Sequence, residues 1–139
     1  MVKFDSDVVA LVSHIEELSN LHNTIKQAGL TDSLGSAQAV TLFAPDNEAF
    51  AKLQGSMILS ALEDNKKLKN ALTYHVVAQK LLAANLRKLK SVTSLQGGTL
   101  KIKRRWLRHG IKVNGAVVKE ADIEGTNGVI HVIDTVLMP

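Results

Sequence analysis

The segment Asn127 to Pro139 reads NGVIHVIDTVLMP, and its middle leaves the fold little freedom. In an extended strand Val129, His131 and Ile133 point to one face and Ile130, Val132 and Asp134 to the other. The strand is therefore apolar on much of both faces, which places it in the interior of a sheet covered on each side. Asn127-Gly128 supplies the turn that precedes it. A chain of 139 residues buries roughly two thirds of its unfolded surface, enough for a self-sufficient core, and predicts one domain over residues 1–139.

What comes before that strand is first helical and then extended. Val8, Val12, Ile15 and Leu18 recur at helical spacing behind Asp7, which is placed to cap them. Leu21, Ile25 and Ala28 continue the pattern after a break near Ser19 and Asn20, and Gly29 supplies a stop. Val40 to Phe43 favours a strand that ends at Pro45, and Asp46 stands where the next helix needs its N-cap. Asn65 to Tyr74 has an apolar helical face, His75 to Val77 becomes extended, and Gln79 to Leu89 is a short helix or turn. From Thr99 to Lys103 apolar and basic residues alternate, with Leu100 and Ile102 on one side and Lys101 and Lys103 on the other. Asn114-Gly115, between two β-favouring triplets, signals a tight hairpin. The order predicts an α+β domain, with helices packed on an antiparallel or mixed sheet.

Charge is distributed very unevenly. Residues 1–64 hold three basic and nine acidic side chains, residues 65–119 fourteen basic and none acidic, and residues 120–139 four acidic and none basic. The field of the middle stretch attracts polyanions or anionic surfaces. Its lysines equally suit a solvated face that protects a sheet edge. Nucleic acid is the poorer polyanion, because Trp106 alone is available to stack on bases among these cations. Cysteine is absent, which removes disulfides, thiolate metal sites and cysteine nucleophiles. No apolar run approaches the ~18 residues of a membrane span.

Three segments, Val40 to Phe50 (VTLFAPDNEAF), Leu72 to Val77 (LTYHVV) and Asn127 to Pro139, resemble in order and separation the first conserved box, the central Tyr-His pair and the second conserved box of the fasciclin-like domain family. The resemblance implies a single fasciclin-like domain: a wedge of two small β-sheets covered by the N-terminal and central helices. It implies a non-catalytic adhesion or extracellular binding module, secreted, periplasmic or displayed at the cell surface, although Met1 to Asp7 lacks the features of a secretory signal.

The resemblance also nominates residues. Phe43, Pro45, Phe50 and His131 belong to the structural boxes, with Phe43 and Phe50 as core anchors. Tyr74 and His75 match a stretch implicated in integrin binding in some animal matrix relatives, and so does the pair Asp122-Ile123, where an exposed aspartate in a turn would complete a receptor-held metal. Those same residues have ordinary structural readings: His75 and His131 as buried histidines satisfied by local hydrogen bonds, Asp122 shaping a turn, Ile123 packed inward. Lys101, Lys103, Arg104, Arg105 and Arg108 form the candidate polyanion surface. Partners are then a surface or matrix protein, an anionic polysaccharide, or an anionic lipid. No nucleophile, base and oxyanion set is assembled, so no catalytic residue, metal ligand or cofactor is assigned. A few family members in photosynthetic organisms bind carotenoids, which makes a lipophilic carrier the alternative function.

Overall fold

The computed structural model describes residues 2–3, 7–30, 39–51, 65–105 and 110–137. Asp7 accepts a hydrogen bond from the Ala10 amide at 2.8 Å and opens helix α1, Val8–His14, as its position predicts. The helix stops at Ile15 rather than near Ser19. A short 3-10 turn, Glu16–Leu18, then leads into α2, Ser19–Ala28, which ends at Gly29. The break is fastened by a residue remote in sequence: the Asn47 side chain donates to the Glu16 carbonyl (3.2 Å) and the Ser19 hydroxyl (3.1 Å) and accepts from the Asn20 amide (3.0 Å).

Strand β1 is Val2–Lys3 and β2 is Val40–Pro45. Asp46 accepts from the Ala49 amide at 2.9 Å and caps α3, Asn47–Ala51. Helix α4 (Asn65–Tyr74), β3 (Val76–Val77), α5 (Ala83–Leu86) and β4 (Ser91–Thr93) follow. The rest is β5 (Thr99–Arg105), β6 (Gly110–Val113), β7 (Ala116–Glu124) and β8 (Gly128–Ile133). Asn114 and Gly115, with φ of 48° and 86°, make the β6–β7 turn, where two successive positive φ values suit Asn-Gly.

The strands run in the order β3-β2-β8-β7-β6-β5-β4, with β1 added beside β7. The sheet is mixed: β2 lies parallel to β8 and β1 parallel to β7, while the other neighbouring strands pair antiparallel. Strand β7 divides this path: Ala116 and Val117 pair with β6, and Val118 to Glu124 with β8. Two small sheets thus share one strand. Their far ends meet where the Leu95 amide donates to the Val76 carbonyl at 2.6 Å.

The two faces of the β2–β8 pair serve two cores. Val40, Leu42, Ala44, Ile130 and Val132 pack with Val8, Val12, Leu21 and Ile25 of the helices. Phe43 and Ile133 point the other way, onto Leu100, Ile102, Ile111 and Val113 of the hairpin sheet. The parallel pairing requires a glycine at its start, because a Cβ on Gly128 would collide with the Val40 carbonyl oxygen.

Candidate functional site

His75 and His131 are both buried, and each is held in one neutral form. His75 Nδ1 lies 2.7 Å from the Ala71 carbonyl and so carries the proton, while Nε2 accepts from the Leu137 amide at 2.9 Å. Burial pushes this imidazole down to about 4, against a smaller upward pull from the Ala71 carbonyl. His131 uses the opposite tautomer, donating from Nε2 to the Leu81 carbonyl (2.7 Å) and accepting at Nδ1 from the Asp122 amide (3.3 Å). Its pKa is also lowered, again chiefly by burial, with the Leu81 carbonyl and the Asp122 charge opposing. Phe43 stacks on the His131 ring with centroids 5.8 Å apart. Pro45 ends β2 opposite Ile133, and Phe50 is half-buried against the helical core.

Asp122 sits within β7 at a register shift between Glu120 and Ile123, with a φ of 61°, and not in a turn. The extra residue of such a bulge re-aims its side chain. Here Oδ1 accepts from the Ala83 amide at 2.8 Å, which fixes the start of α5. Asp122 is half-buried, and Ile123 packs against the helical core.

Tyr74 is buried at its ring but brings its hydroxyl to a surface groove. That hydroxyl donates to the Thr99 carbonyl (3.1 Å) and accepts from Asn114 Nδ2 (2.7 Å). Asn114 Oδ1 in turn accepts from the Lys101 amide (2.6 Å), and the Asn114 amide donates to the Lys101 carbonyl (2.9 Å). The link ties the hairpin turn, β5 and the end of α4 together. Around it lies a groove of about 520 Å³, lined by Tyr74, Thr99, Lys101, Lys103, Lys112, Asn114 and Gly115.

The groove unites Tyr74 with Lys101 and Lys103 of the predicted basic surface. His75, Asp122 and Ile123 are not among its lining residues. Arg104 and Arg105 are the last residues of β5, with their side chains outside the described residues, and Arg108 lies outside them altogether. Lys112, part of the same basic stretch of sequence, and Asn114 of the hairpin turn complete the polar lining. Lys112 stands directly opposite Lys103 in the β5–β6 register, and only the alternation Ile111-Lys112-Val113 hinted that it faces outward.

Two lysines elsewhere meet acids. Lys80 pairs with Glu124 at 3.1 Å, and Lys119 pairs with Asp46 at 2.5 Å and Glu48 at 3.2 Å. Hydrogen bonding to Asp46 raises the Lys119 pKa, and burial opposes it. Among the described residues Lys101, Lys103 and Lys112 have no ion-pair partner. Among those residues, too, no group of three or more His, Asp and Glu side chains is placed to hold a metal ion, and no helix is long and apolar enough to cross a membrane.

The fasciclin domain family profile matches residues 16–139, and the chain belongs to that family. It is 41% identical over 135 residues to protein sll1483 of Synechocystis sp., covering 95% of this chain and 73% of that protein. With protein sll1735 of the same organism it shares 38% identity over 132 residues, covering 95% and 97%. Transforming growth factor-beta-induced protein ig-h3 of Sus scrofa is 40% identical over 121 residues, 87% of this chain but 17% of the longer protein. Among solved structures, the FAS1 domain pair from the insect cell adhesion molecule Fasciclin I superposes with a TM-score of 0.79 at 20% identity, over 96% of this chain and 51% of that one. The fold is thus the FAS1 wedge, and the family is one associated with adhesion and extracellular proteins.

Proposed function

We propose that this chain is one extracellular fasciclin module, spanning residues 1–139, that works by binding and carries out no catalysis. Its working surface is the lysine face of β5 and β6, and its partner is an anionic polymer of a cell surface or matrix. The observation that carries this reading is the trio Lys101, Lys103 and Lys112, gathered around one groove with no acidic side chain among its described lining residues. Like charges directly opposite on paired strands destabilise a sheet. Lys103 and Lys112 nevertheless stand opposite each other in the β5–β6 register, with no ion-pair partner among the described residues, where a ligand would neutralise them.

Retention on an immobilised sulfated polysaccharide of the heparin type tests the reading. The protein binds at low salt and elutes steeply as salt rises, because displaced counterions drive such contacts. The triple variant Lys101→Gln, Lys103→Gln, Lys112→Gln elutes at the lowest salt with its fold intact. Equal retention of both proteins would refute the assignment. Absence of binding together with a hydrophobic pigment in an organic extract would transfer the function to a lipophilic carrier.

A further inference from the structure

We propose that the groove beside Tyr74 holds a sugar ring bearing an acidic substituent, a uronate or a sulfate ester of an acidic polysaccharide, with the lysine trio meeting the acid and the Asn114 amide meeting a ring hydroxyl. The inference rests on the reading of the lysine face as the working surface and adds the ligand class and a specificity residue. A volume of about 520 Å³ falls in the range of small-molecule sites, far larger than a single anion requires. Its lining is also mixed. Lysines supply point charges without directional demand, whereas Asn114 and Gly115 offer neutral, directed groups at the same wall.

Asn114 has capacity left for a ligand. Its Nδ2 gives one hydrogen to the Tyr74 hydroxyl and its Oδ1 takes one from the Lys101 amide, so one N–H and one lone pair remain. A donor and an acceptor on one rigid amide match a hydroxyl, which is both. Polyphosphate chains and the phosphatidylserine headgroup offer acceptors and charge but no such neighbouring hydroxyl in a ring. Tyr74 is the positioning residue: its hydroxyl, anchored on the Thr99 carbonyl, sets the plane of the Asn114 amide.

The test measures binding of the intact chain at one fixed salt concentration to three probes: a sulfated, uronate-containing oligosaccharide, inorganic polyphosphate of matched charge, and phosphatidylserine-containing vesicles. The wild type prefers the oligosaccharide by about tenfold over both, the weight of one or two well-placed hydrogen bonds. Asn114→Gly, which keeps a turn residue suited to positive φ, and Tyr74→Phe each reduce that preference toward unity. Their salt-sensitive binding to polyphosphate stays unchanged. The preference ratio is insensitive to a general loss of stability, and the wild-type panel stands without either variant. Equal binding of all three probes, or a preference that survives Asn114→Gly, overturns the inference and leaves the lysine face as the working surface. Full binding by the triple lysine variant overturns both.

Discussion

Around His75 and His131 every ring nitrogen has a hydrogen-bond partner, whereas Lys101, Lys103 and Lys112 line one groove with no acid among its described lining residues. The first region lies between two packed cores and holds its polar groups neutral and satisfied, as the low dielectric there demands. The second lies on the outer face of the hairpin sheet and holds its charges close together in water, where screening makes this tolerable. The two regions separate roles that composition alone leaves mixed. The histidines, the residues most open to a catalytic reading, are fully engaged in holding the chain together. The lysines of the groove make no ion pair among the described residues, and under the proposed function their arrangement serves a ligand.

The sharpest break of this contrast falls in the buried region. Phe43→Ala removes the ring that stacks on His131 and fills the hairpin-side core. A loss of about 3–5 kcal/mol is expected from transfer and cavity terms together, read as a fall in the urea unfolding midpoint; a loss below about 1 kcal/mol would show that the second core does not depend on this strand pair.

Acid comes next. His75 has its ordinary value of 6.5 in the unfolded chain and about 4 when folded. Between these values the unfolded state binds the proton and the folded state does not, so stability is complete above about pH 6.5 and declines as pH falls toward 4. The difference amounts to about 3 kcal/mol at one pKa unit per 1.36 kcal/mol, and His131 shifts with the same sign. Unfolding free energies at about pH 7.5 and pH 4.5 measure it. His75→Asn flattens the slope, and a slope unchanged in that variant would remove His75 as its cause.

Local chemistry was legible in the sequence, and contacts between distant residues were not. Asp7 and Asp46 announced their caps, Asn114-Gly115 its hairpin, Thr99 to Lys103 its alternation, and the two-faced apolar run of β8 its central place, because each signal lies within a few residues. The parallel register of Val40 with Gly128 depends on two segments far apart in the chain. So does the Asn47 clasp that moves the first helix break to Ile15. For the site, alternation exposed Lys101 and Lys103, but the opposition of Lys103 to Lys112 needed the strand register. The Tyr74 to Asn114 bond spans 40 residues, and no periodicity reports it. Asp122 was visible as a polar residue ahead of the last strand. Its bulge, and its use on the Ala83 amide, came from the pairing of β7 with β8.

The smallest expected effect is the most telling, because the same substitution made in two places differs in sign. Lys119→Gln removes the ion pair that meets Asp46, whose side chain is 5% exposed, and frays the tie between β7 and the start of α3. A loss of roughly 0.5–1 kcal/mol is expected. Lys103→Gln relieves the repulsion from Lys112 across the β5–β6 pair and removes no partner, so stability holds or rises by a few tenths of a kcal/mol. Added salt shrinks the gain, since both lysines reach water and their repulsion is screened. Unfolding midpoints of the two variants at low and high salt separate the cases. A loss of stability in Lys103→Gln equal to that in Lys119→Gln would mean that the lysine face is part of the scaffold, and the contrast with the buried histidines would fall.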